Sequence, residues 1–242
     1  LFGMSLSAAE LPAMSSATGT EQEIAAVLRE RLRSSSRRIG FFVIPSAVAF
    51  FALGDVVAAA IYQTGRFTHQ NAVFVWAILA GSAFGLLAQT IGRLYSSAYY
   101  ALRDTRTPMR FAVVRVILTT GLGFFFALPL PRLLGIDQQW GTAGLTASAG
   151  IAGWVEFILL RRGMNEKIGK VPFPRLDFAK LWGAAIVAAA AALTIKFGLH
   201  PARPRVAALL ILIPYGLIYL GITALLGLNQ AGSILNRITR RR

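Results

Sequence analysis

The chain has 242 residues, of which 55% are hydrophobic and only 14% charged, with a mean hydropathy of +0.59. A soluble domain carries about 25% charged residues, so a water-covered globule is excluded and most of the surface must face lipid. The 25 Lys and Arg against 10 Asp and Glu give a net +15, but they stand in short clusters between apolar runs, which is the membrane pattern and not a nucleic-acid-binding patch.

In chain order, Leu1–Met14 reads as the end of a transmembrane helix that stops near Leu11-Pro12. It lacks the basic start of a signal peptide and reads as part of a longer chain whose N-terminal portion is cut away. Residues 15–38 follow as a cytoplasmic amphipathic linker: Ile24, Val27, Leu28 and Leu32 fall at helical spacing, which predicts a helix lying on the membrane surface, with a plain solvated helix as the alternative. Six runs then reach the ~20 apolar residues that a spanning helix needs: Ile39–Tyr62, Ala72–Tyr99, Phe111–Leu130, Gly141–Leu160, Ala179–Leu199 and Val206–Leu228. None alternates with period 2, which disfavours an outer-membrane barrel. The fold class is therefore an all-α integral membrane protein, a polytopic helical bundle of six full spans plus the end of a seventh. Its parts are expected to be four spans over 39–162, a cytoplasmic loop at 163–178, two final spans over 179–228 and a basic cytoplasmic tail at 229–242. Pro45 and Pro214 lie inside spans and favour kinks, and the small-residue run GAAIVAAAAAL permits close helix packing.

Basic residues orient such a chain. Nineteen fall on alternate connections: Arg29, Arg31, Arg33, Arg37 and Arg38; Arg103, Arg106, Arg110 and Arg115; six between Arg161 and Lys180; and Arg237 with the three arginines ending at Arg242. The opposite side holds five: Arg66, Arg132, Lys196, Arg203 and Arg205. The C-terminus is therefore predicted to be cytoplasmic. The charge needs no nucleic-acid partner, since anchoring and attraction to anionic lipid account for it.

Arg93 is left over, inside the second span. Charges there are costly and often functional; Gln89 and Thr90 one turn before it, and Ser96 and Ser97 one turn after, could line a polar face. The alternative is an arginine that snorkels to the headgroups. Glu156 is expected to pair with Arg161 or Arg162, Arg115 to snorkel, Lys196 to anchor at the interface, and Asp55 to face a polar cavity or approach the outer interface. Glu10 is ambiguous. With no Cys and only His69 and His200, each near the end of an apolar run, no disulfide, catalytic residue, metal site or cofactor is expected, and an enzyme is the least favoured class.

The segment YYALRDTRTPMR, Tyr99–Arg110, resembles the cytoplasmic loop of the MurJ (MviN) family, where an FYA…DT(K/R)TP pattern follows a transmembrane helix with a basic residue six positions before the aromatic, as Arg93 stands here. SLSAAELPAMSS, IPSAVAF, IYQTGRFT and GTAGLTASAGIAGW resemble further stretches of that family, in order across most of residues 1–170; the last two helices match only in hydropathy and position. The family belongs to the multidrug/oligosaccharidyl-lipid/polysaccharide exporter superfamily. The resemblance implies a fourteen-helix flippase of lipid II, the undecaprenyl-linked peptidoglycan precursor, in the bacterial inner membrane, of which this chain covers the end of helix 8 and helices 9–14. The family's arginine-lined cavity is built largely from helices 1, 2 and 8, so no residue here takes those roles. The implied partners are lipid II, membrane lipids and cell-wall synthesis proteins, and the implied mechanism is alternating access.

Within that frame Arg93, Gln89 and Asp55 are the cavity or gate candidates. In the loop, Asp104 could cap a helix starting near Pro108 together with Thr107. Arg103, Arg106 and Arg110 either meet an anionic headgroup or simply anchor the loop. Two alternatives stay open: another exporter of the superfamily, against which the DTRTP loop argues, and a non-transporting membrane scaffold for cell-wall synthesis.

Overall fold

The computed structural model describes residues 9, 10, 12, 14, 15, 20–63, 68–198, 204–228 and 230. Most of the opening helix end, the loop holding Gly65 and Arg66, His200 with the Pro201–Arg203 turn, and the arginines from Arg237 to Arg242 lie outside these residues.

Among the described residues there is no strand. In lipid a backbone must satisfy its own hydrogen bonds, and a helix does so within one segment. The elements are α1 (Glu21–Tyr62), α2 (His69–Ala101), α3 (Arg106–Ala127), a short α4 (Pro129–Leu134), a 3₁₀ turn (Gln138–Trp140), α5 (Gly141–Ile168), α6 (Arg175–Gly198) and α7 (Pro204–Leu225). The six expected spans are all present as helices long and apolar enough to cross a membrane. Five of the six are longer than their apolar runs, because the helices continue into polar sequence; α7 ends at Leu225, before the expected Leu228.

The largest extension is in α1. The linker expected to be a separate surface helix runs without a break into the first span, as one helix of 42 residues. It starts at a reciprocal cap that the sequence displays as Thr20-Glu-Gln-Glu23: the Thr20 amide donates to the Glu23 carboxylate at 2.8 Å, and the Glu23 amide to the Thr20 hydroxyl at 3.4 Å. These bonds hold the Glu23 carboxyl below its ordinary pKa. Leu28 and Leu32 are fully buried in the protein, so that part of the apolar stripe is covered by protein. Glu10 also packs here, 3.6 Å from Arg31 and 3.9 Å from Arg38.

The chain forms two compact units. The first holds the residues up to Val43 and Gly81–Pro174. Its helices approach closely through glycines. A Cβ at Gly85 of α2 would collide with the backbone of Gly150 on α5, and one at Gly81 would sit 2.7 Å from the Ala143 carbonyl. A Cβ at Gly144 of α5 would lie 2.9 Å from the Phe126 carbonyl of α3. Small residues let backbones pack where lipid gives no hydrophobic drive for helix association.

The second unit holds Ile44–Ala80 and Arg175–Arg242. The alanine-rich run of α6 packs as expected, burying Ala184, Ala185, Ala188, Ala189 and Ala192, and α7 buries Ala208, Ile211, Tyr215, Tyr219 and Thr223. The backbone departure in α1 is not at Pro45 but at Leu53, with φ −127° and ψ 15°. The indole N–H of Trp76 donates to the Phe51 carbonyl at 2.8 Å beside this break, and the Tyr215 hydroxyl donates to the Pro45 carbonyl at 2.6 Å. Both bonds come from a neighbouring helix, the usual way a disturbed membrane helix satisfies its backbone.

Candidate functional site

Among the described residues we consider four polar places, and the sequence expectations fare differently at each. The first is Arg93 on α2. The residue is exposed, and its guanidinium has no ion-pair partner among the described residues. Two of the hydroxyls expected to line a polar face around it bond their own helix. The Thr90 hydroxyl turns back to the Leu86 carbonyl at 2.7 Å and the Ser97 hydroxyl to the Arg93 carbonyl at 3.1 Å, the back-bonding that lets hydroxyls sit in apolar helices. Gln89 lies in the glycine crossing: a Cβ at Gly85 would stand 3.0 Å from its amide nitrogen, and one at Gly153 3.0 Å from its Cγ.

The second place is the ion pair of Arg115 on α3 with Glu156 on α5, 3.2 Å apart. This corrects two expectations: Glu156 does not pair with Arg161 or Arg162, and Arg115 has a protein partner. Glu156 is 12% exposed and Arg115 37%, so the carboxylate is held in a poorly hydrated place where a lone charge is expensive. Arg161 instead stacks its guanidinium on Phe173, 4.8 Å from the ring centre, a cation–π contact.

The third is Asp55 with Lys196, 2.6 Å apart and 15% and 26% exposed. Lys196 is therefore Asp55's partner as well as a residue near a helix end. The pair ties α1 to α6 two residues after the break at Leu53.

The fourth is the Tyr99–Arg110 corner. Here α2 ends with the Asp104 amide donating to the Tyr99 carbonyl and the Arg103 amide to the Tyr100 carbonyl, the paired reversal bonds that close many helices. The residue that must turn left-handed in this motif is Arg103, with φ +57°, the only non-glycine residue with positive φ among those described. The next helix starts at Arg106, two residues before Pro108. Asp104 takes its first free donors: the Thr107 amide at 3.0 Å and the Thr107 hydroxyl at 2.7 Å. Lys167 from the end of α5 adds its ammonium at 2.8 Å. Lys167 and Thr107 together hold the Asp104 carboxyl well below the usual carboxylate range. Beneath it, the buried Tyr99 hydroxyl donates to the Leu160 carbonyl at 3.0 Å and fills the space above Gly163, where a Cβ would lie 2.6 Å away. Arg103, Arg106 and Arg110 are all exposed.

Sequence spacing shows the Thr107 partner of Asp104 but not its Lys167 partner, nor the partners of Asp55 and Glu156, since each of these stands on a helix far along the chain. The Thr20–Glu23 cap was readable from its spacing and was missed.

The family model described as lipid II flippase MurJ matches residues 1–201. Among curated relatives, the lipid II flippase MurJ of Burkholderia cenocepacia is 28% identical over 193 residues, 78% of this chain and 35% of that protein. The probable lipid II flippase MurJ of Bdellovibrio bacteriovorus is 25% identical over 97% of this chain and 43% of its own length. That of Buchnera aphidicola subsp. Baizongia pistaciae is 24% identical over 77% of this chain and 34% of its own length. The chain thus spans about a third of the length of the first relatives it matches. A solved lipid II flippase MurJ in an inward closed conformation shares the fold, with a TM-score of 0.75 at 22% identity, covering 93% of this chain and 43% of that one. With a family model matching residues 1–201 of 242, the chain belongs to the MurJ family of lipid II flippases.

Proposed function

We propose that this chain serves a flippase that carries lipid-linked peptidoglycan precursor, lipid II, across the bacterial inner membrane by alternating access, with its C-terminus in the cytoplasm. The observation that carries the reading beyond family membership is Arg93. Eight residues separate it from the end of α2 at Ala101, so at 1.5 Å per residue it stands about 12 Å along the helix. A cation kept that far in, without an ion-pair partner among the described residues, suits a diphosphate, which charge-assisted hydrogen bonds hold well where water is scarce. Asp55, Gln89 and the cytoplasmic arginines Arg103, Arg106 and Arg110 take supporting places in this reading: Asp55 in a latch with Lys196, Gln89 in the α2–α5 crossing, and the three arginines at the cytoplasmic entrance. Cell-wall synthesis proteins are proposed as partners on the same family grounds.

The test uses the full gene that carries this chain in a strain depleted of its own flippase. Arg93→Ala is expected to abolish growth while the protein reaches the membrane at the parental level, and Arg93→Lys to restore part of it. Normal growth of Arg93→Ala at normal expression removes Arg93 from the mechanism.

A further inference from the structure

The Tyr99–Arg110 corner contains a conformational choice that packing alone does not explain. Glycine adopts a left-handed backbone without penalty, whereas an L-residue with a side chain is strained there. Glycines take the left-handed positions at Gly135 and Gly227, each with open space where a Cβ would be. At position 103 the chain instead keeps an arginine at φ +57°, exposed and without an ion-pair partner among the described residues. Its immediate neighbour Asp104 is fixed by three donors from two helices: the amide and hydroxyl of Thr107 and the ammonium of Lys167. Strained backbone persists where the surroundings over-determine it, and here they do. The reversal bonds to Tyr99 and Tyr100 precede Asp104 directly, and Tyr99 is itself pinned to Leu160.

We propose that Asp104 and Lys167 are positioning residues for transport, whose ion pair fixes the corner so that Arg103 presents its guanidinium to a phosphate-bearing headgroup at the cytoplasmic face. This deepens the flippase reading and rests on it. Arg103 is the group that meets phosphate; Asp104 and Lys167 act through it. The phosphate has two sources, the diphosphate of the transported lipid or the headgroups of anionic bilayer lipid, and the experiment separates them.

The experiment measures lipid II reaching the outer leaflet of cells depleted of their own flippase and carrying the full gene, together with membrane expression and the thermal midpoint of the solubilised protein. The variants are Arg103→Gly, Arg103→Lys, Asp104→Asn, Asp104→Glu and the double Arg103→Gly/Asp104→Asn. Arg103→Gly is expected to melt no lower than the parent, because glycine relieves the left-handed strain, and yet to lose transport. Arg103→Lys is expected to recover part of it. Asp104→Asn is expected to lose transport to the same degree, Asp104→Glu to keep it in part, and the double to be no worse than either single. Adding lipid II to the solubilised parent is expected to raise its midpoint, and Arg103→Gly to lose that rise. A rise given only by anionic bilayer lipid, with none from lipid II, would overturn the assignment to substrate. Full transport by Arg103→Gly, or losses that add in the double, would overturn the proposal. A parent that transports nothing removes the flippase reading and this one together, whereas an active parent with an active Arg103→Gly removes this one alone.

Discussion

Glu156 and Arg115 show what a single charge costs in this protein. Each stands on a helix in an apolar stretch of sequence, and the two pair with each other at 3.2 Å. Removing one member of a fully buried pair costs about 3–5 kcal/mol because the survivor is left uncompensated. Arg115 is 37% exposed, so its loss should cost less, about 1–2 kcal/mol by the same rule discounted for exposure. Arg115→Leu is therefore expected to lower the thermal midpoint, Arg115→Leu/Glu156→Leu to recover most of the loss, and the reversed pair Arg115→Glu/Glu156→Arg to recover part of it. A double-leucine variant that melts below both singles would show that the charges serve something other than each other. The sequence displayed these charges plainly but not their partners. Local spacing suggested Arg161 and Arg162, within two turns of Glu156 on the same helix, whereas the structure pairs residues 41 apart, and Asp55 with Lys196 across 141. Ion pairing inside a membrane follows which helices touch, and hydropathy contains no information on that.

The helices themselves were legible, because length and apolarity are local. Their irregularities were less so. Proline is the sequence signal for a bend, yet α1 departs from helical geometry at Leu53, eight residues beyond Pro45, where Trp76 reaches the Phe51 carbonyl and crowds Gly54. Glycine is similarly ambiguous when read alone. Gly85 and Gly121 look alike in sequence, each in the middle of an apolar run. At Gly85 a Cβ would strike the backbone of Gly150, while at Gly121 nothing lies within 4 Å. Gly85→Leu is expected to cost at least about 1–3 kcal/mol by overpacking, seen as lower membrane expression and a lower midpoint. Gly121→Leu is expected to be neutral or slightly stabilising, since glycine is a poor helix former. Equal effects of the two would mean that the α2–α5 crossing is not held by its glycines.

At the scale of the whole chain, the length of α1 carries the orientation. Its 42 helical residues, interrupted at Leu53, have a contour length of about 63 Å at 1.5 Å each, twice the ~30 Å hydrocarbon core, so part of the helix must leave the lipid. The half that leaves is fixed by charge. Arg29, Arg31, Arg33, Arg37 and Arg38 lie before Ile39, while the 24 residues from Ile39 to Tyr62 hold one charge, Asp55, which is neutralised by Lys196. Those 24 residues span about 36 Å, enough to cross with some tilt. In the proposed orientation the arginine half continues as helix on the cytoplasmic side, with Leu28 and Leu32 buried in the protein, and Thr68, after the span, is expected on the opposite side. This chain has no cysteine, so a single introduced cysteine is the one thiol within it. Glu30 is a suitable inner site, with a side chain 71% exposed, whereas Ser35 is 1% exposed and would stay silent on either side. A membrane-impermeant thiol reagent added to intact cells is expected to label Thr68→Cys and to leave Glu30→Cys unlabelled until the membrane is opened. Labelling of Glu30→Cys in intact cells would reverse the orientation, and with it the side from which Arg103 meets its headgroup.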